Sequence, residues 1–117
     1  MKAFLAAAAI SFTAFSMPVS ADAAELVMVD ARACSYCQKF AREMDDVYAA
    51  SPAGTSAPIR RVSPFKRWPA DLAGVRPAPY TPVFILVDGG REVGRFAGYK
   101  SPEWFWSKLN PLLAQAN

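Results

Sequence analysis

The chain has 117 residues, with 13 Lys and Arg against 10 Asp and Glu, two Cys and no His. That length allows one domain, and a formal charge of +3, with its basic residues scattered, is too weak to argue for a nucleic-acid partner. Without histidine there is no His-based triad, no His general base and no His-containing metal site. Two thiols also fall short of the four ligands that structural zinc takes, so no metal and no cofactor are expected.

The first segment reads as a removable export signal. Met1-Lys2 gives a short positive end, and residues 3–15 are apolar apart from Ser11 and Thr13. Met17-Pro18 then breaks the run before the small residues Val19-Ser20-Ala21 and Ala21-Asp22-Ala23. About 13 apolar residues are short of the roughly 20 that span a bilayer. Residues 1–21 are therefore expected to be a secretory signal peptide, cleaved after Ala21 or Ala23, with a single domain over residues 24–117. A signal of bacterial type sends that domain to the periplasm, where disulfides persist.

Residues 25–31 are an apolar run suited to a buried strand. Cys34-Ser35-Tyr36-Cys37 follows, and from it Cys37, Phe40, Ala41, Met44, Val47 and Tyr48 recur at helical spacing with charged residues between them. The helix should stop near Ala50, because Ser51-Pro52-Ala53-Gly54 groups breakers. Residues 59–62 read as a second strand. Residues 64–79 hold four prolines and are irregular, with a helical turn near Ala70-Asp71-Leu72-Ala73 ended by Gly74.

Residues 83–87 are the clearest strand; Asp88-Gly89-Gly90 is a tight turn, and residues 92–96 return antiparallel. Ser101-Pro102-Glu103 starts a last helix with a capping Ser and Pro at the first helical position. Phe105, Leu109, Leu112 and Leu113 form its buried stripe, and Pro111 should kink or end it. Met28 and Met44 fall on core positions, and at least two of Trp68, Trp104 and Trp106 should be core. This order gives an α/β domain, a four-stranded mixed sheet with helices on both faces.

The chemistry lies in Cys34 and Cys37. Cys34 falls where a strand ends and a helix begins, so the unsatisfied first-turn N–H groups and the helix dipole favour a negative charge on its sulfur. That raises the thiolate fraction, and the thiolate is the nucleophile. Cys37, one turn later and more buried, is suited to resolve the intermediate, and the spacing suits a Cys34–Cys37 disulfide. A structural staple is the competing reading. A bridge closing four residues is worth only roughly 2 kcal/mol of chain entropy, which favours a redox switch. Gln38 follows Cys37, so the haem-attachment pattern is absent. Tyr36 either flanks the substrate or covers the helix start. Arg60-Arg61 and Lys66-Arg67 offer a modest basic patch that reads better as a solvated face.

The chain resembles the thioredoxin superfamily over nearly all of residues 24–117, and more narrowly the small periplasmic thioredoxin-like proteins of bacterial sulfur-oxidation (Sox) systems. The residues behind the narrower likeness are Cys34-Ser35-Tyr36-Cys37, the run from Pro77 through Tyr80-Thr81-Pro82 to Val87, Gly89 through Tyr99, and Trp104-Phe105-Trp106. The resemblance implies a minimal thioredoxin fold, Cys34 as nucleophile and Cys37 as resolving residue. It also implies a cis Thr81-Pro82 bond whose Thr81 backbone pairs with an extended substrate segment. The partners it implies are a periplasmic client protein with a cysteine or disulfide, such as a sulfur-carrier protein, and a membrane thiol-electron donor. Against the general thioredoxin pattern, Met28 stands six positions before Cys34 in place of an acid, Ala33 precedes Cys34 in place of Trp, and Ser35-Tyr36 replaces Gly-Pro.

Three functions stay open on the sequence: a dithiol reductant of a partner's cysteine, an oxidant or isomerase of periplasmic cysteines, and a non-enzymatic thiol- or copper-binding module. The first is favoured. An isomerase usually carries a dimerisation domain this chain is too short to hold, and copper carriers of this fold usually add a His.

Overall fold

The sheet begins with β1 (Glu25–Val29), whose last four residues are fully buried. A computed structural model describes residues 3–14 and 23–116. Residues 3–14 have no regular secondary structure and are exposed, and among the described residues no helix is long and apolar enough to cross a membrane. Of the two expected cleavage points, Ala21 lies outside the described residues and Ala23 is exposed.

After β1 come α1 (Ser35–Ala50), a short α2 (Pro52–Ser56), β2 (Ile59–Val62), a 3-10 helix (Ala70–Leu72), β3 (Val83–Asp88), β4 (Arg91–Ala97) and α3 (Pro102–Gln115). The sheet order is β2-β1-β3-β4, with β1 and β2 parallel and the other pairs antiparallel. The turn between β3 and β4 needs positive φ at both central residues, supplied by Gly89 (φ 60°) and Gly90 (φ 75°).

Alternation along the strands divides the core into two layers. Leu26, Met28, Phe84 and Leu86 face Phe40, Met44 and Tyr48 of α1 and Phe105 and Leu109 of α3. Aromatic rings dominate this layer: Phe40 lies 4.8 Å from Phe84 and 5.1 Å from Phe105, centroid to centroid. On the other face Val27, Val29, Val83, Ile85 and Val87 pack against Leu72, Val75 and Ala78. The Trp68 indole donates to the Leu72 and Val75 carbonyls (2.9 and 3.1 Å), which holds that covering segment in place. This is the four-stranded α/β arrangement of the minimal thioredoxin fold.

The structure differs from the sequence reading at four places. Val47 is 55% exposed, because the buried stripe of α1 runs Cys37, Phe40, Met44, Tyr48 and position 47 falls beside it. The breaker cluster forms α2: Ser51 Oγ accepts the Gly54 N–H (3.0 Å) and Pro52 occupies the first turn, where no N–H is needed. α3 continues through Pro111 to Gln115; the Ser107 carbonyl loses its helical donor, but Ser107 is exposed and water can serve it. Leu112 and Leu113 are only half-buried, as are all three tryptophans; Trp68 and Trp106 pack against the core and Trp104 lies edge-on to Phe96.

Candidate active site

Register fixes which loops meet. Val29 at the end of β1 pairs with Val62 at the end of β2 and with Val83 at the start of β3, and Val83 pairs with Ala97 at the end of β4. The segments that follow β1, β2 and β4 and precede β3 therefore converge at one end of the sheet. Cys34, Cys37, Tyr36, Thr81 and Pro82 all lie on them.

Cys34 is the N-cap of α1. Its backbone is extended (φ −86°, ψ 106°), and its Sγ accepts the Cys37 N–H at 3.1 Å, the role an Asp or Ser oxygen usually plays. No acidic side chain stands in the first turn of α1, so the helix's own residues do not offset its positive end beside this sulfur. The two cysteines form a disulfide with Cα atoms 5.2 Å apart. Cys34 is half-buried, while Cys37 retains 3% of its exposure and packs with Phe40 in the aromatic layer. Tyr36 projects from the same turn with 59% of its surface exposed.

Thr81 is half-buried and Pro82 buried, joined by a cis peptide bond just before β3. The Pro82 carbonyl accepts the Gly98 N–H (2.8 Å), and Gly98 has φ 87°, a backbone angle that favours glycine. Beyond Gly98 the chain is tied to α1 twice. The Tyr99 hydroxyl donates to Glu43 (2.8 Å), and Lys39 Nζ donates to the Lys100 carbonyl (2.6 Å). Burial, helped by the Glu43 carboxylate, holds the Tyr99 phenol well above its ordinary pKa.

On the β2 side a groove of about 990 Å³ opens, lined by Asp30 and Arg32 after β1, Cys37 and Gln38 in α1, and Lys66 and Arg67 after β2. Arg60 and Arg61 reach it already engaged: Arg60 by Glu25 and Asp71, Arg61 by Asp30 and Asp45. In the sequence these arginines read as part of a solvated patch. Their partners come from β1, the segment after it, α1 and the 3-10 helix, a convergence no local pattern reveals. Met28, at the position where thioredoxins carry an acid, is fully buried in the core layer.

A dithiol capping a helix at the end of a four-stranded α/β sheet, with a cis-proline segment at the same end, defines a thiol–disulfide oxidoreductase of the thioredoxin class. No family model and no curated protein matches the chain. Among solved structures, the reduced form of the periplasmic thioredoxin SoxS from Paracoccus pantotrophus is similar, with 33% sequence identity and a TM-score of 0.76 over 80% of this chain and 99% of that one. The chain belongs to the thioredoxin family.

Proposed function

We propose that the protein is a periplasmic dithiol reductant of a partner protein's cysteine, with Cys34 as the attacking and Cys37 as the resolving sulfur. The observation that carries this reading is the asymmetry of the pair: Cys34 caps the helix half-exposed, while Cys37 is 3% exposed behind it. In the reduced protein the Cys34 thiolate attacks one sulfur of a client disulfide, forming a mixed disulfide and releasing the other client sulfur as thiolate. Cys37, once deprotonated, attacks Cys34, which closes the Cys34–Cys37 bridge and releases the second client thiol. Two electrons leave the dithiol and two reach the client.

Thr81 and Pro82 supply the surface against which an extended client segment lies, and Tyr36 flanks it. The bridge formed in each cycle must be reduced again, which calls for a membrane thiol-electron donor feeding the periplasm. Export by residues 1–21 is consistent with the periplasmic place of the similar SoxS protein. The client proposed is a sulfur-carrier protein whose cysteine is kept active, as the sequence resemblance to Sox-system thioredoxin-like proteins implies.

The reduction potential of the Cys34–Cys37 pair, equilibrated against dithiothreitol or glutathione, tests the direction of flow. A reductant requires a value near thioredoxin's, roughly −270 mV. A value of roughly −120 to −180 mV would make the protein an oxidant or isomerase instead.

A further inference from the structure

The Cys34–Cys37 segment follows β1, the strand between β2 and β3, so it has two different neighbours. On the β3 side stand Thr81 and Pro82. On the β2 side stands the groove, which Cys37 lines and Cys34, Tyr36, Thr81 and Pro82 do not.

The charges around this groove fall into two sets. Arg60 and Arg61 are each held by two carboxylates, and Asp30, the only acid lining the groove among the described residues, is taken by Arg61. Arg32, Lys66 and Arg67 also line it, are exposed, and have no ion-pair partner among the described residues. Beside them Phe65 holds 85% of its surface in solvent. Ser63 Oγ accepts the Phe65 N–H (3.2 Å), bracing the turn that carries it. Three uncompensated cations and a bare aromatic ring around one groove have unmet capacity for carboxylates and an apolar contact.

We propose that this groove docks an acidic, carboxylate-rich segment of the protein with which the Cys34–Cys37 pair exchanges. This rests on the oxidoreductase reading above and names the chemistry of its partner. Arg32, Lys66 and Arg67 pair with the segment's carboxylates and Phe65 supplies the apolar contact. The docked segment lies on the Cys37 side while the reacting cysteine is presented along Thr81 and Pro82. Complementary charge of this kind acts chiefly on the encounter rate and on partner choice, and salt screens it.

The test uses the reduced full chain and two synthetic disulfide peptides that differ only in carrying Glu or Gln beside their cysteines. At low ionic strength the Glu peptide should be reduced roughly tenfold faster. The ratio should fall toward one at about 1 M salt, where the screening length is about 3 Å. Lys66→Gln with Arg67→Gln should bring the low-salt ratio close to one, and Lys66→Glu with Arg67→Glu should take it below one. Because each ratio compares two substrates of the same variant, a general loss of folded protein cancels. Equal rates for the two peptides, or a ratio unchanged in both double variants, would overturn the docking surface and leave the oxidoreductase reading standing. Reduction of neither peptide would overturn that reading and this inference with it.

Discussion

Cys34 caps the helix while Cys37 keeps 3% of its exposure, and the function proposed from this difference gives separable roles to two chemically identical side chains. Cys37→Ser should trap a client on Cys34 as a mixed disulfide, visible as a reducible adduct on a non-reducing gel. Cys34→Ser should abolish reduction of a disulfide substrate and form no adduct; retained activity in that variant would reverse the assignment. Tyr48 tests the residue scale in another currency, proton binding. Its buried hydroxyl donates to the Ala57 carbonyl (2.6 Å), and burial pushes its pKa up from 10.0 to about 12. Above about pH 10 the unfolded chain loses this proton while the folded chain keeps it, so the native state binds more protons and stability falls as pH rises. Tyr48→Phe should cost about 1 kcal/mol at neutral pH by orphaning the carbonyl. The gap between variant and native protein should then narrow between about pH 10 and 12 in urea titrations.

At the scale of elements, the junction of α1 and α2 has the closest approach of any described glycine to its surroundings. A Cβ at Gly54 would lie 1.9 Å from the Tyr48 carbonyl oxygen and 2.7 Å from its carbon. Both are backbone atoms at the end of a helix and cannot turn aside. Gly54→Ala should therefore destabilise the fold by about 1–3 kcal/mol or more, lowering the melting midpoint by roughly 5–20 °C. Below that midpoint disulfide reduction should be unchanged, since about four turns of α1 separate Gly54 from Cys34. The same junction marks where sequence reading gives out. The helical stripe of α1, the Gly89-Gly90 hairpin and the dithiol at a strand-to-helix junction are all local patterns, and each is present, the stripe without Val47. Ser51-Pro52-Ala53-Gly54 has the composition of a loop and becomes a helix through the Ser51 cap and several contacts with Tyr48. The groove beside Cys37 is non-local throughout: it exists because Val27 and Met28 pair with Arg60 and Arg61 in register.

For the whole molecule, the question is which part of the chain the fold requires. The sheet begins at Glu25, and the core layer reaches back to Ala24, which packs against it half-buried. Upstream, residues 3–14 are exposed, and among the described residues the only backbone hydrogen bond outside regular elements that involves them, Thr13 N–H to the Ser11 carbonyl, stays within the segment. Residues 3–14 bury little apolar surface and share no hydrogen bond with the domain among the described residues, and such a segment contributes nothing measurable to folding free energy. Its apolar side chains, among them Phe4 and Leu5 at 95% and 96% exposure, instead carry the cost of contact with water. A chain that starts at Ala24 should therefore melt within about 1 °C of the full-length protein, reduce disulfides at the same rate and aggregate less. A midpoint lower by several degrees would mean that the leading segment packs on the domain and belongs to the mature fold, and the removable-signal reading would fall.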